Sequence, residues 1–241
     1  MRVHVAFTPA EAVEAPTAIV VDVLRATSTI AQALAHGYRQ ILCCAEVDEA
    51  TALRSRLGEG LLAGERRCVR IPGFDLGNSP QEFLEPLGET VVLTTTNGTR
   101  ALVAAAERCE LVVAASLLNL GAAVEAAREA GGDVVVVCAG VLGRFAMDDA
   151  YVAGRLVELL GGDPTDGAAA AVRLRESFAG AEAGLGASQS ARNLVAAGLD
   201  GDIAWCARES VLDVVPCVTG REGTAVCVAA RQAKPAARRT A

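Results

Sequence analysis

The chain has 241 residues, with 22 basic and 29 acidic side chains giving a net charge of −7, which argues against a general nucleic-acid surface. Hydrophobic residues make up 52% and aromatics only 3%, so its core must be assembled from Val, Leu, Ile and Ala, with no apolar run long enough to span a bilayer. The eight cysteines are scattered without a C-x-x-C pair, and only two histidines accompany them, a pattern of small buried thiols rather than of a disulfide framework or a zinc site.

The opening "MRVHVAFTPA" contains a strand, "RVHVAF", and lacks the apolar run and small-residue cleavage site of a signal peptide, so a cytoplasmic location is expected. The strand "AIVVDV" and the helix-spaced "TSTIAQALAHG" follow, then "QILCCA" and "EVDEATALRSRLG". The strand "GLLAGE" leads into the loop "IPGFDLGNSP". Next come "TVVLTT" with "GTRALVAAAERC", "LVVAA" with "NLGAAVEAAREAGG", and "DVVVVC" with "DDAYVAGRLVELLGG". After Gly161 the alternation fades into a helix-rich part, Asp166 to Ala197, followed by one or two strands near Asp213 to Ala229.

Several strands are continuous apolar runs, as expected when both faces are covered. Strand alternating with helix predicts a layered α/β/α architecture with a largely parallel or mixed sheet. Neither repeat nor long linker interrupts it. Residues 1–230 therefore read as one domain with a helical subregion over 162–205, and the ending "RQAKPAARRTA" (231–241), with four basic residues and no acid, reads as a flexible tail.

Ligands of open α/β sheets bind beyond the carboxyl ends of the strands. Here those ends share a chemistry. The first supplies Asp22, Arg25, Thr27 and Ser28; "LLAGER" supplies Glu65 and Arg66; "TTTNGTR" supplies Thr95, Asn97, Gly98 and Arg100. "VVAAS" ends at Ser116, and "VVVVCAGVLGRFAMDD" brings Cys138, Gly140, Arg144, Asp148 and Asp149. Taken singly, each position is also explained as a helix cap or a tight turn. Taken together, arginine forks, hydroxyls, glycines and carboxylates are the parts of a phosphate site with a divalent cation. The carboxylates available to Mg²⁺ are Asp22, Glu65, Asp75, Asp148 and Asp149.

Three phosphate chemistries can be compared with these residues. No G-x-x-x-x-G-K-[ST] loop occurs, which removes nucleotide binding of that type. An aspartyl nucleophile at Asp22 lacks the second Asp of the haloacid dehalogenase pattern, since Leu24 stands there. Cys138 and Arg144 have the C-x5-R spacing of cysteine-dependent phosphatases, with Gly140 and Gly143 between them, but Val137 replaces the usual preceding His. A metal-independent Cys138 phosphatase is thus one alternative, and a non-catalytic binder of a phosphorylated metabolite is another.

The segments "VVDVLRATSTI", "LLAGER", "GFDLGNSPQE", "TTTNGTRAL" and "CAGVLGRFAMDDAYVAG", in this order from Val20 to Gly154, resemble the 2-phosphosulfolactate phosphatase family. The resemblance implies a family-specific α/β fold and a Mg²⁺-dependent hydrolase that converts (R)-2-phospho-3-sulfolactate to 3-sulfolactate and phosphate, a step of coenzyme M biosynthesis. It places Asp22, Arg25, Thr27, Ser28, Glu65, Arg66, Asp75, Asn78, Ser79, Thr95, Asn97, Arg100, Asp148 and Asp149 in the site. The expected partner is a small anionic phosphorylated substrate, with neither nucleic acid nor membrane, and a homodimer is left open. The chain departs from the family at "SQSARN", with Ala191 in place of Gly, and at "FAMDD" in place of "FSLED"; Arg144 stands where a lysine is more usual. These differences lie at the outer edge of the site and leave another phosphorylated hydroxy acid open as substrate.

Overall fold

A computed structural model describes residues 1–11 and 13–231, so all of the basic tail except Arg231 lies outside the described residues. In chain order its strands are β1 (Arg2–Ala6), β2 (Thr17–Val21), β3 (Gln40–Cys44), β4 (Leu61–Arg66), β5 (Val69–Arg70), β6 (Thr90–Thr94), β7 (Leu111–Ala115), β8 (Val134–Cys138), β9 (Asp163–Pro164), β10 (Pro216–Glu222) and β11 (Ala225–Ala230). The helices are α1 (Ala26–Ala35), α2 (Val47–Leu57), α3 (Gly98–Ala105), α4 (Leu120–Ala130), α5 (Met147–Leu160), α6 (Asp166–Glu176), α7 (Ala181–Gly186), α8 (Gln189–Ala196) and α9 (Gly201–Cys206), with a 3-10 turn at Pro80–Phe83.

Local chemistry sets many of these boundaries. Every residue of β2 and of β6 is buried, which is why both read as unbroken apolar runs. Helix α2 opens on a reciprocal cap between Glu46 and Glu49 and stops at Gly58, which takes the left-handed conformation that favours glycine. The late run "DVVPCV" enters a strand only at Pro216. Ahead of it the chain is held along the β7–α4 loop, where Leu212 N–H donates to the Leu118 carbonyl.

The strands form one sheet in the order β5-β4-β6-β3-β11-β10-β7-β2-β8-β1-β9. It has two parallel blocks, β4-β6-β3 and β7-β2-β8-β1-β9, joined through the antiparallel hairpin β10-β11. Three successive antiparallel pairings make the blocks run in opposite directions. In a flat sheet their carboxyl ends would lie on opposite edges. Instead the sheet curls around α1 and α3, which touch strands of both blocks. Ala18 and Val20 of β2, Ile41 and Cys43 of β3, and Val91 and Leu93 of β6 bury against Ile30 of α1 and Leu102 of α3 in this enclosed layer. The alternate residues face outward. Val21, Val113 and Val136 pack under α4 and α5, and Leu42, Cys44 and Val92 pack under α2. The curl brings the carboxyl ends of β2, β4 and β6 together.

Candidate active site

β2 releases the chain at Asp22, and the turn into α1 consumes most of its own hydroxyls. Thr27 Oγ1 donates to the Asp22 carbonyl at 2.9 Å and accepts the Asp22 N–H at 3.1 Å, while Ser28 Oγ donates to the Val23 carbonyl at 2.8 Å. Both side chains are fully buried. They hold the turn rather than face a ligand. The Asp22 carboxylate accepts from the Ala26 N–H at 3.3 Å and is 8% exposed, so it sits where helix N–H groups favour an anion.

The other block supplies Glu65, whose two oxygens tie two loops together. Oε1 accepts the Thr96 N–H and Oε2 the Cys68 N–H, each at 2.8 Å. β6 ends at Thr94, and the two threonines after it take different roles. Thr95 Oγ1 accepts the Thr99 N–H at 3.2 Å in the first turn of α3, whereas Thr96 lines the cavity. The next residue, Asn97, accepts the Leu142 N–H on Oδ1 at 2.9 Å and so fixes the loop after β8 against the start of α3. Gly98 is required by close approach: a Cβ there would lie 2.5 Å from Asp22 Oδ2 and 2.5 Å from Ala26 Cβ.

Arg25 enters from the start of α1. Its Nη1 pairs with Asp202 at 2.7 Å and its Nη2 donates to the Cys68 carbonyl at 3.0 Å. Nothing in the sequence marked Asp202, which comes from α9, 177 residues later.

These groups border one cavity of about 480 Å³. Asp22, Glu65, Arg25, Asn78, Thr96 and Asn97 form its polar wall, Leu24, Val69, Val141, Leu142, Ala196 and Ala197 an apolar one, and Arg67 with Ser190 and Asn193 a polar fringe. The acids repel one another. Burial first, and then the charge of Glu65, push the Asp22 carboxyl up to about 7; burial pushes Asp148 up to about 6. Asp148 meets the cavity through Ser190, whose Oγ donates to it at 3.2 Å. Such a set favours a proton or a cation. Among the described residues, two buried oxygens of the polar wall's residues, Asn78 Oδ1 and Thr96 Oγ1, have no partner. Among the described residues no three His, Cys, Asp or Glu side chains converge into a metal cage. Mg²⁺ asks for less, one or two carboxylates with neutral oxygens and water. Asp22 and Glu65 with the two unpartnered oxygens fit that demand.

The family model described as 2-phosphosulpholactate phosphatase matches residues 4–221. The chain belongs to this family. A probable 2-phosphosulfolactate phosphatase of Thermotoga petrophila is 41% identical over 218 residues, covering 89% of this chain and 94% of the relative. Its counterpart in Thermus thermophilus is 39% identical over 234 residues, covering 94% and 98%. One from Deinococcus radiodurans is 40% identical over 206 residues, covering 83% and 86%. Membership makes the chain a phosphoric monoester hydrolase. No helix among the described residues is long and apolar enough to cross a membrane.

Of the positions expected in a 2-phosphosulfolactate phosphatase site, Asp22, Arg25, Glu65, Asn78 and Asn97 reach the cavity, and Gly98 shapes it. Others are engaged elsewhere. Arg66 is a strut, donating to the Glu65 carbonyl at 2.7 Å and to Thr94 Oγ1 at 3.1 Å. Arg100 pairs on the surface with Glu46. Asp75 accepts the Leu62 N–H at 2.8 Å, beside the start of β4. Ser116 is fully buried with its hydroxyl on Asn119, and Ser79 donates to Asp202 at 2.6 Å. Asp149 accepts the N–H groups of Val23 and Gly140, each at 3.0 Å, which braces the turn after β2 against the loop after β8. Gly140 and Arg144 belong to that loop; Arg144 is exposed and outside the cavity lining.

The expectation for Cys138 is corrected. It is fully buried in the core under α4 and α5, and burial, then the carboxylates of Asp149 and Asp148, raise its thiol well above the usual range. A nucleophilic cysteine needs the opposite environment. The sequence missed Thr96, Arg67, Asn193 and Asp202. Thr96 stands in the threonine run just past β6, whose strand period does not reach it, and the others depend on contacts between distant segments.

Proposed function

We propose that the chain hydrolyses (R)-2-phospho-3-sulfolactate, or a closely related phosphorylated hydroxy acid, to the free hydroxy acid and inorganic phosphate with Mg²⁺ as cofactor. On this reading it works in the cytoplasm, at the dephosphorylating step of coenzyme M assembly. One observation carries the reading. Two carboxylates, two unpartnered buried oxygens and an immobilised guanidinium meet in one small cavity.

Asp22, Glu65, Asn78 Oδ1 and Thr96 Oγ1 would hold the cation, which when bound polarises a phosphoryl oxygen and offsets its charge. The chain's own residues do the rest. Arg25 directs its free N–H groups at the phosphoryl oxygens, a contribution of positioning and electrostatics. The apolar wall, Leu24, Val141 and Leu142, excludes water from the carbon skeleton. Arg67 is exposed at the rim and has no ion pair among the described residues, so it is the cation available to a second anionic group of the substrate.

Phosphate release from a panel of phosphorylated hydroxy acids, with Mg²⁺ and with EDTA, tests the proposal. Mg²⁺-dependent turnover with 2-phosphosulfolactate among the best substrates is expected. EDTA-resistant turnover removes the metal from the proposal. Binding of the panel without turnover removes hydrolysis.

A further inference from the structure

Helix α9 is remote in sequence from every motif that suggested the site, yet its Asp202 supports Arg25. Both side chains of this ion pair are 2% exposed. A buried pair is a poor device for stability, because desolvating two charges offsets most of their attraction and an apolar contact joins two segments as well. The arrangement around the pair points to orientation instead. Asp202 Oδ2 takes Arg25 Nη1 at 2.7 Å, and Oδ1 takes Ser79 Oγ at 2.6 Å and Gln81 Nε2 at 3.1 Å, so both oxygens are engaged and the carboxylate is held in one orientation. On its other arm, Arg25 Nη2 donates to the Cys68 carbonyl at 3.0 Å. Two anchors on different nitrogens fix the plane of the guanidinium. Of the five N–H donors such a group carries, three make no hydrogen bond among the described residues, and Arg25 lines the cavity.

We propose that Asp202 is a positioning residue of the phosphatase: it acts through Arg25, setting the guanidinium plane against the phosphoryl group. It does not touch the substrate. Its support comes from Ser79 and Gln81, which explains why the "GNSPQE" segment looked functional although its serine does not line the cavity. The proposal rests on the phosphatase reading.

The test is a cycle of four proteins, wild type, Asp202→Asn, Arg25→Lys and the double variant, with Ser79→Ala as a milder probe of the same bracket. Turnover of 2-phosphosulfolactate and the affinity for inorganic orthophosphate are measured on each, with thermal melting to give the folded fraction. Asp202→Asn should lower kcat/KM by on the order of 10- to 100-fold, as loss of a supporting partner does elsewhere. It should move the same parameter, kcat or KM, that Arg25→Lys moves. The double variant should be no worse than Arg25→Lys alone, because the two changes remove one function. Ser79→Ala should shift activity the same way by less, and it carries the test if Asp202→Asn does not fold. Losses that multiply in the double variant overturn the proposal, as does Asp202→Asn, or Ser79→Ala in its place, with wild-type turnover per folded molecule. A wild type without turnover defeats the phosphatase reading alone. Orthophosphate affinity across the four proteins then still reports the coupling, with the same non-additivity expected and full additivity overturning it.

Discussion

Replacing Gly98 by Ala adds one methyl group at the point where the two blocks of the sheet meet. The new Cβ would stand 2.5 Å from both Asp22 Oδ2 and Ala26 Cβ, about 0.9 Å inside the 3.4 Å at which ordinary contact begins. Two effects on stability oppose each other. Ala is the better helix residue by up to about 1 kcal/mol, less here because Gly98 opens α3, and overpacking costs about 1–3 kcal/mol, leaving a net loss of about 0–3 kcal/mol. For a domain of this size that lowers Tm by no more than about 12 °C. Activity should suffer far more. Asp22 must give way by close to 1 Å, and a displacement of that size at a reacting centre costs on the order of 100-fold in rate. Phosphate-release kinetics at 25 °C, beside a melting curve on the same sample, separate the two. A Gly98→Ala protein that keeps kcat/KM within about twofold refutes the placement of Asp22 in the site. So does one whose activity falls only with its folded fraction.

Other outcomes follow from the same geometry. Arg25→Lys should cut kcat/KM sharply, because a point charge cannot replace a guanidinium held at two nitrogens, whereas Arg100→Ala should leave it unchanged, since among the described residues that arginine makes only a surface ion pair; kinetics on both check this. Cys138→Ser should retain turnover and EDTA sensitivity; loss of activity in a folded Cys138→Ser protein would restore the cysteine mechanism. Asn78→Ala should raise the Mg²⁺ concentration needed for half-maximal activity, read from a Mg²⁺ titration of turnover, because Asn78 Oδ1 then no longer serves the cation. The buried thiols predict an alkaline weakness. Burial raises Cys206 to about 12 and Cys217 to about 11, above their unfolded value near 9, so the stabilisation they give is complete below pH 9 and is lost as pH rises through those values. Denaturant midpoints should therefore fall between pH 9 and 11, with a shallower slope in Cys206→Ala.

Much of the fold was legible without coordinates. Apolar runs such as "AIVVDV" and "TVVLTT" are continuous because β2 and β6 are covered on both faces, and the helices between them follow from spacing and caps. The lining of the candidate cavity was legible where backbone and side chain act locally: Asp22, Glu65, Asn97 and Gly98 all stand one to four residues from a strand end. It was not legible where a polar residue has two plausible uses. Thr27, Ser28 and Thr95 spend their oxygens on the chain's own turns and caps, and Arg66 and Arg100 spend their charge on neighbours.

By itself, then, the sequence determined most of the strand and helix elements, a mainly aliphatic core that also buries Tyr38, Phe74, Phe83 and Tyr151, the acidic character and the motif set of the 2-phosphosulfolactate phosphatase family, because each follows from neighbours along the chain. Only the tertiary structure decided which of those residues share a cavity. The reason is the curled sheet: its two blocks run in opposite directions, and pairing through β10 and β11, with α1 and α3 enclosed, carries Glu65 to Asp22 and brings Asp202 of α9 onto Arg25. The same packing turned Cys138 into the core and set Asn78 and Thr96 in the cavity lining, each with a buried oxygen that has no partner among the described residues.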